Sequence, residues 1–448
     1  MPRRALPAGL VPVDAAERFL DLPGVALLES PSGFPRLGQR SILSADPVAS
    51  SPSLAAPPAG HIRLGYLAYE FGHRFERLPR PLFDDLALPE VHWPTYDWWI
   101  EWDHASGGVI LHATTEARLR WAFERLNGPR PSPRSLSRPP DRRILRSRSG
   151  QAAGPPEHPT PDLGPGITST FTPEGYRRAV ARVVEYICAG DIFQANLSQR
   201  FSTPFAAHPW KLYRALRDAS PAPFCAYLQH DDVAIVSHSP ERFLQLDTEG
   251  RVETRPIKGT RPRGATARED ARLVAELRAS EKDRAEHVMI VDLLRNDISR
   301  VTAPGSVRCE ELLALESYAG VHHLVSTVVG RLEAASDATR LIAATFPGGS
   351  ITGAPKIRAM EIIAELEPTA RGVYCGAIGA WSAAGALDLS IAIRTAVVRG
   401  DRVTWSAGGG IVADSDPEAE YRETLDKARG IAVAVAGAGA LGRWGGGR

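Results

Sequence analysis

Lysine is scarce in this sequence, because only five of its 53 basic residues are lysines and the rest are arginines. Arginine has taken nearly every place where either cation would serve on a solvated surface, as is typical of a GC-rich genome. Arginine keeps its proton in proteins, so it cannot act as an amine nucleophile or base. The five lysines are therefore candidates for chemistry that only lysine performs; they are Lys211, Lys258, Lys282, Lys356 and Lys427.

Three further features are missing, and each excludes a class of protein. No apolar run reaches the roughly 20 residues of a membrane span, and the start of the chain lacks the apolar core of a signal peptide. The formal net charge is only +1, which excludes an overall basic footprint for nucleic acid. We expect a cytoplasmic protein with neither a membrane nor a nucleic-acid partner.

Cysteine is also rare, with four residues at positions 188, 225, 309 and 375. No pair has the spacing of a metal site or a redox motif. We expect Cys188, Cys225, Cys309 and Cys375 to be buried thiols in a reducing compartment.

Composition divides the chain of 448 residues into regions, and this length predicts two to three domains. Residues 1–128 alternate short apolar runs with proline and glycine. Residues 129–166 are rich in Pro, Arg, Ser and Gly, which predicts a linker or long loop. Residues 167–436 are expected to form the main domain, and 437–448 a flexible tail.

Hydrophobic periodicity predicts an α+β class for the main domain. A capping box of Ser415 and Glu418 is expected to start the last helix. The predicted helices cover 176–189, 267–279, 283–297, 355–366 and 417–436, and the predicted strands cover 98–102, 108–112, 193–201, 224–228, 233–237, 242–246, 374–381, 387–398 and 402–407.

Two pairs of carboxylates fall at helical spacing. Asp283 and Glu286 share one helix face, and Glu420 and Glu423 repeat the spacing one turn before Lys427. Two acidic pairs without a run of Cys or His suit a hard cation such as Mg²⁺ that holds an anionic substrate. A single pair at this spacing is also typical of a solvated helix face.

Two glycine-rich stretches could approach a ligand. The turn FPGGSITGAPK at 346–356 leads into a helix with Thr352 as its candidate cap, and such a helix start offers N–H groups to a carboxylate or phosphate. A structural turn explains the same residues. Gly408, Gly409 and Gly410 allow close backbone approach or a simple bend, and Arg394 on a predicted strand could clamp a carboxylate.

A third group combines SPE at 239–241 with PIKGTR at 256–261. Lys258 lies in a turn among several arginines, whose charge would lower the pKa of its amine and favour a nucleophile. Glu241 could protonate a leaving hydroxyl. A basic surface loop is the competing interpretation. The arginines are Arg251, Arg255, Arg261 and Arg263.

Taken together and in order, these segments resemble the chorismate-utilising enzymes, which include anthranilate, aminodeoxychorismate, isochorismate and salicylate synthases. The resemblance is dense from about residue 168 to 430. It is carried by DIFQANL at 191–197, the SPE and PIKGTR segments, EHVMIVD at 286–292 with RND at 295–297, VHHLVS at 321–326, the 346–356 turn and GAIG at 376–379. More weakly, LLES at 27–30 resembles the segment lining a tryptophan pocket in anthranilate-synthase-type chains.

The resemblance implies an α+β fold of two layered antiparallel sheets with helices outside and the active site between the sheets. It also implies the roles of individual residues. Mg²⁺ would be bound by Glu286 and Glu420, with Glu423 and Asp283 supporting them. The ring carboxylate of chorismate would contact Gly408, Gly409, Gly410 and Lys427, and Thr352 would be a further substrate contact. The enolpyruvyl carboxylate would contact Arg394 and Tyr374, while Glu241 would be the general acid and His323 the family's active-site histidine.

Two positions distinguish members of the family. Isochorismate and salicylate synthases carry a lysine base where this chain has Gln194, which argues against activation of water at C2. Anthranilate synthases typically carry Ala at the third position of PIKGTR, whereas aminodeoxychorismate synthase component I carries Lys, as Lys258 does here. The resemblance therefore implies amination of chorismate at C4 through a lysine adduct at C2, giving 4-amino-4-deoxychorismate for 4-aminobenzoate and folate synthesis.

No cysteine lies in a Gly-x-Cys-x-Gly motif, so we expect a separate glutaminase subunit to supply ammonia. Three alternatives remain open. The chain could be anthranilate synthase component I, which aminates C2 and eliminates pyruvate; a non-catalytic chorismate-binding subunit; or a nucleic-acid binder built on 129–166.

Overall fold

Two large antiparallel sheets, with helices packed outside them, form this protein. The computed structural model describes residues 1–31, 34, 37–50, 52–131, 154–318 and 320–440. The predicted α+β class with two layered sheets is confirmed. Within these ranges, no helix is both long and apolar enough to cross a membrane.

The larger sheet holds thirteen of the described strands. In spatial order they are β1 (Arg3–Ala5), β8 (Gly108–Ala113), β7 (Trp98–Asp103), β3 (Arg40–Ser44), β2 (Ala26–Glu29), β12 (Phe224–His230), β13 (Val233–Ser239), β22 (Thr395–Arg399), β23 (Arg402–Ile411), β11 (Gln194–Pro204), β10 (Thr168–Ser169) and β9 (His158–Pro159), with β19 (Gly353–Ala354) paired to β11.

The smaller sheet holds ten of the described strands. Their order is β16 (Ile257–Pro262), β18 (Val321–Arg331), β15 (Arg251–Arg255), β14 (Arg242–Leu246), β21 (Leu387–Ile391), β20 (Ala377–Ser382), β4 (Ile62–Leu67) and β5 (Val91–His92), with β17 (Arg308–Ser317) paired to β18 and β6 (Thr95–Tyr96) paired to β4.

Helices cover the outer faces of both sheets and close the core. They are α1 (Pro12–Ala16), α2 (Glu116–Asn127), α3 (Pro173–Cys188), α4 (Pro209–Ala219), α5 (Ala267–Ala279), α6 (Glu281–Ser299), α7 (Ala338–Thr345), α8 (Lys356–Leu366) and α9 (Pro417–Ala440). One apolar cluster lies under α3, α4 and α9, a second lies under α6, α7 and α8, and a third fills the space between the sheets. Because both faces of the larger sheet are covered, β13 is buried along its whole length.

The chain does not divide at the predicted linker. β2 pairs with β12, and β4 pairs with β20, so strands from before residue 129 complete both sheets. The two sheets are thus shared between the predicted N-terminal region and the predicted main domain. Residues 132–153 of the predicted linker and 441–448 of the predicted tail lie outside the described residues, while α9 continues past 436 to Ala440.

Sequence periodicity located the elements with strong, continuous patterns and missed those with weak or interrupted patterns. The bounds of β14 and α5 agree with the prediction, and β7 pairs with β8 as expected. Strands β17 and β18 and helices α4 and α7 were not predicted. The predicted strand 387–398 is wrong as one element, because Arg394 has a φ of 50° and separates β21 from β22.

Two local expectations are also wrong. The backbone N–H of Ala419 donates to Asp416 Oδ1 at 2.8 Å, so Asp416 caps α9 and the predicted box of Ser415 and Glu418 does not form. Cys225 and Cys375 are buried as expected, but Cys188 is exposed because it ends the solvent face of α3, and Cys309 is half-buried.

A buried ion pair joins α8 to β11 behind the glycine-rich turn. The Arg371 guanidinium donates to both carboxylate oxygens of Glu367 and to the carbonyl oxygens of Ile351 and Asn196. Glu367 Oε1 also accepts from the backbone N–H and hydroxyl of Ser198 at 2.8 Å each. The pair therefore ties the turn to β11, the strand that pairs with the glycines of β23.

We predict that Arg371→Met lowers the free energy of unfolding by about 3–5 kcal/mol, because it leaves the Glu367 carboxylate buried without its counter-ion. The matched variant Arg358→Met removes a partly exposed ion pair with Glu361 and should cost less than about 1 kcal/mol. Urea unfolding followed by tryptophan fluorescence measures both. Equal losses would show that the buried pair has no special weight.

Candidate active site

Side chains from both sheets converge where α6 of the smaller sheet approaches β11 and β23 of the larger one. Glu286 of α6 accepts hydrogen bonds at Oε1 from Lys258 Nζ of β16 at 2.6 Å and from Gln194 Nε2 of β11 at 2.9 Å. Glu420 and Glu423 reach the same region from α9. The structure thus brings together residues that lie more than 200 positions apart in the sequence.

The glycines of β23 allow these carboxylates to come close to one strand. A Cβ on Gly409 would lie 3.1 Å from Glu420 Oε2 and 3.2 Å from Glu423 Oε1, and a Cβ on Gly410 would lie 2.7 Å from Glu286 Oε1. A side chain at either position would therefore displace a carboxylate. Gly408 fills a different need, because its Cβ would meet the carbonyl oxygen of Leu197 on β11 at 2.3 Å. Close approach, rather than a bend, explains the three glycines.

The α9 carboxylates differ in their surroundings. Glu420 is buried and accepts from Ser415 Oγ at 2.7 Å; burial and the neighbouring charge of Glu423 raise its pKa. Glu423 lies 2.6 Å from Lys427 Nζ, which also donates to Gly408 O at 2.9 Å. Burial opposes ionisation of Glu423, but the charges of Lys427 and Lys258 outweigh it and lower the pKa. Ser415 thus orients Glu420 instead of capping the helix.

The carboxylates suit Mg²⁺ in their chemistry. Within the described ranges, no group of three or more His, Cys, Asp or Glu side chains is arranged as a metal-ligand cluster. Mg²⁺ in enzymes is commonly held by one or two carboxylates, with substrate oxygens and water completing its shell. Glu286 and Glu420 beside the glycine strand fit that pattern. Asp283 fits it less well, since its carboxylate is paired with Arg261 at 3.2 Å.

Glu241 lies just before β14 and is almost completely buried. Its Oε1 accepts from Ser350 Oγ at 2.7 Å, which ties it to the glycine-rich turn. Burial raises the pKa of Glu241 to about 7, although the Ser350 hydroxyl and the charge of Lys258 act in the opposite direction. A carboxyl with this pKa carries a proton near neutral pH and can donate it.

The surroundings of Lys258 differ from the prediction. The nearby arginines are paired with carboxylates, as Arg255 is with Glu316 at 2.6 Å and Arg263 is with Asp270 at 2.8 Å. Arg251 and Arg261 are paired in the same way. The predicted environment is therefore wrong, because Lys258 lies in strand β16 instead of a turn, and its amine contacts a carboxylate instead of a cluster of free guanidinium groups.

His323 and Arg394 lie on the other side of the site. His323 Nδ1 is 2.8 Å from Thr260 Oγ1, and burial, assisted by the charge of Arg394, lowers the pKa of His323 to about 4. Arg394 is exposed to solvent, although desolvation by the surrounding protein atoms lowers the pKa of its guanidinium, and its left-handed backbone separates β21 from β22. In the part of the chain that the structure describes, no carboxylate pairs with this guanidinium, so it is available to an anionic ligand.

Two predicted substrate contacts are buried in the fold. Thr352 donates its hydroxyl to Gly348 O at 3.0 Å, so it closes the turn and does not cap α8, whose N-cap is Pro355. Tyr374 is buried, and burial raises the pKa of its hydroxyl well above the usual value. Lys356 is a structural lysine, which donates to Asp297 Oδ2 at 2.6 Å and to Thr345 O at 3.0 Å.

Sequence reasoning missed several residues that support the site. Ser350 was read only as part of a turn, since nothing in the local sequence places it beside Glu241, 109 positions away. His287 and Ser326 lie within the family motifs without a predicted role of their own, yet His287 Nε2 lies 2.6 Å from Ser326 Oγ and Nδ1 lies 3.3 Å from Lys258 O. A polar residue inside an apolar helical run was the one available signal.

A cavity of about 470 Å³ lies between the sheets and is lined in part by Leu28, Glu29 and Ser30 of the predicted pocket segment. The Glu29 carboxylate does not face it freely, because it accepts from Tyr213 Oη at 2.6 Å and from two nitrogens of Arg217 at 2.9 Å. None of the predicted site residues lines this cavity, so it is separate from the candidate active site.

The layered sheets and the site of carboxylates, lysine and arginine define a class of enzyme that acts on a small anionic substrate. A family model described as chorismate binding enzyme matches residues 39–433. The chain is 46% identical over 417 residues to anthranilate synthase component 1 of Streptomyces coelicolor, covering 91% of this chain and 78% of that protein. It is 44% identical over 370 residues to aminodeoxychorismate synthase component 1 of Salmonella typhimurium, covering 82% and 75%.

Comparison of the fold with solved structures points to the same family. The crystal structure of anthranilate synthase component I from Streptococcus pneumoniae matches with a TM-score of 0.72 at 30% identity, covering 90% of this chain and 93% of that chain. The chain belongs to the chorismate-binding enzyme family, and it is an enzyme that acts on chorismate. The resemblance seen in the sequence is confirmed at this level, while relatives of two activities are almost equally similar.

We predict that Glu241→Gln makes the stability of the protein less dependent on pH. Because the pKa of Glu241 is raised from 4.5 to about 7 by folding, the native wild type binds this proton more tightly than the unfolded chain. Its stability therefore falls by about 3 kcal/mol between pH 4.5 and pH 7 on account of this group. The variant should lack that part of the fall when unfolding is measured at pH 5 and pH 8. Parallel curves for both proteins would contradict the raised pKa.

Proposed function

We propose that this protein is component I of an aminodeoxychorismate synthase, which aminates chorismate at C4 with ammonia from a glutaminase subunit. The observation that supports the proposal most is the placement of Lys258. Its amine reaches Glu286 within the site, and its charge acts on the buried acid Glu241. The proposed nucleophile, Lys258, is thus close enough to the proposed acid, Glu241, to act on its charge, and Lys258 is the residue at which members of the family differ.

In the proposed reaction, the amine of Lys258 adds to C2 of chorismate while Glu241 gives its proton to the C4 hydroxyl, which departs as water. Ammonia then adds at C4 and expels the lysine amine, and Glu241 recovers a proton from the incoming nitrogen. The net change replaces a hydroxyl by an amino group and retains the enolpyruvyl group. Glu241 suits this role because a pKa of about 7 allows both loss and gain of a proton.

The remaining residues bind and orient the substrate. Arg394 is the available guanidinium for the enolpyruvyl carboxylate, and His323 lies beside it. Lys427 and the glycine strand would face the ring carboxylate near Glu286 and Glu420. These two carboxylates would hold Mg²⁺, which supplies positive charge to bind and polarise the ring carboxylate.

Anthranilate synthase component I is the second candidate, because the relative of that name from Streptomyces coelicolor is 46% identical over 91% of this chain. In that activity ammonia adds at C2 and pyruvate leaves, so Lys258 would have no covalent role. The two candidates therefore differ in what the loss of Lys258 does.

We predict that Lys258→Ala lowers kcat for 4-amino-4-deoxychorismate on the order of 100-fold or more, because the covalent step loses its nucleophile. Lys211→Ala should keep wild-type activity, since Lys211 is exposed on α4. The assay supplies chorismate, Mg²⁺ and ammonium salt and couples product to a 4-amino-4-deoxychorismate lyase. Equal activity of the two variants would remove Lys258 from the reaction.

We predict that Glu420→Gln raises the Mg²⁺ concentration needed for half-maximal activity by roughly 10- to 100-fold. Glu418→Gln is the matched control, because Glu418 is on the same helix but is paired with Arg177 and Arg422. Activity is titrated with Mg²⁺ after removal of metal by a chelator. The same requirement in both variants would place the cation elsewhere.

A further inference from the structure

Two consecutive residues of α6 hold Lys258 at both ends. Glu286 accepts from the amine at 2.6 Å, and Nδ1 of His287 lies 3.3 Å from the backbone carbonyl oxygen of the same lysine. Glu286 has a place in the proposed metal site, whereas His287 has none in the proposed reaction. His287 is completely buried, so it can act on the substrate only through a neighbour.

The backbone carbonyl group of Lys258 lies at a point of the sheet where the regular hydrogen-bond ladder is interrupted. Strand β16 pairs with β18 at Ile257 and again at Thr260, but the register shifts between these residues. The shift leaves Lys258 and Gly259 at an irregularity in which one additional residue is accommodated, and Gly259 has a φ of 83°. A partly buried carbonyl outside a regular ladder needs another donor, and the ring of His287 lies within reach of it.

A chain of hydrogen bonds determines which ring nitrogen carries the proton. The backbone N–H of Leu313 donates to Ser326 Oγ at 3.0 Å, so the Ser326 hydroxyl proton is free to point at His287 Nε2, 2.6 Å away. With Nε2 as acceptor, Nδ1 of the neutral ring carries the proton and donates to Lys258 O. Both partners of the ring are then satisfied by one arrangement.

We propose that His287 is a positioning residue, which fixes the backbone of Lys258 at the β16 irregularity so that its amine points into the active site, and that Ser326 fixes the ring of His287 in the form that does so. This inference rests on the proposed function, in which the Lys258 amine must meet C2 of the substrate. Its physical basis is that a displacement of about 1 Å in a reacting group costs roughly 100-fold in rate.

Two substitutions separate the two contacts of the ring. In His287→Asn the amide nitrogen takes the place of Nδ1 and can still donate to Lys258 O; in His287→Gln the longer amide reaches toward Ser326 and leaves that carbonyl without a donor. We expect His287→Gln to lower kcat by about 10- to 100-fold with the KM for chorismate nearly unchanged. We expect His287→Asn to retain most of the wild-type kcat. Equal kcat values for the two variants would overturn the proposal.

A second readout reports on Lys258 without turnover. Because the chain has only five lysines, trace acetylation followed by peptide mass spectrometry measures each amine, with exposed Lys211 as the internal reference. The Lys258-to-Lys211 labelling ratio should rise in His287→Gln and remain at the wild-type value in His287→Asn. An unchanged ratio in both variants would overturn the proposal, even if one of them were less stable.

The matched control is His322→Asn, which alters another buried histidine, located on β18 of the smaller sheet. The side chain of His322 contacts Ser317 and Asp270 and makes no hydrogen bond to a predicted site residue within the described ranges, so kcat and the Lys258 labelling ratio should stay at wild-type values. The two proposals fail in different ways. Activity retained in Lys258→Ala would end the proposed function, whereas the labelling ratio tests the positioning by His287 regardless of the product formed.

Discussion

The contact between Lys258 and Glu286 is the interaction on which the rest of the site depends. It joins an edge strand of the smaller sheet to α6, and through Gln194 it continues to the larger sheet. A carboxylate that is partly buried against glycine backbone needs a cation. In this structure the lysine amine supplies it, and the same amine is the group proposed to attack the substrate. The Glu286 carboxylate therefore both links the two sheets and holds the amine of the proposed reaction.

Burial separates the roles of the acidic residues. Glu241 lies in the interior with one hydroxyl partner, and burial raises its pKa to about 7, so it suits proton transfer. Glu423 lies beside Lys427, whose charge lowers the pKa, so it remains an anion. Pairs of titratable groups whose surroundings push their pKa values apart are how one site holds an acid and an anion at the same pH. The difference between the two pKa values follows from the neighbours that the fold gives each carboxyl group.

Much of the fold could be predicted from the sequence because its information is local. The bounds of α5 and β14 follow from periodicity and turn residues, whereas the glycines of β23 were equally compatible with close approach and with a bend until the structure showed the close approach. The charge environment of Lys258 could not be predicted, since Glu286 and Glu316 come from elements 28 and about 60 positions away. A cluster of arginines in sequence gives no information on which carboxylates the fold will place beside them.

The same limit explains the other errors. Ser415 has the spacing of a cap, but Asp416 lies next to it and takes that place, which leaves Ser415 to orient Glu420. Arg394 lies in an apolar run typical of a strand, but its left-handed backbone divides that run into β21 and β22. In both cases local propensity identified the segment as a helix start or a strand. It did not identify which side chain caps the helix or where the strand is interrupted.

We propose that the placement of Lys258 directs ammonia to C4 of chorismate. The most direct test incubates the purified chain with chorismate, Mg²⁺ and ammonium salt and separates the products before and after addition of a 4-amino-4-deoxychorismate lyase. We expect 4-aminobenzoate to appear only after the lyase is added. Formation of anthranilate and pyruvate without the lyase would contradict it and assign the chain to amination at C2.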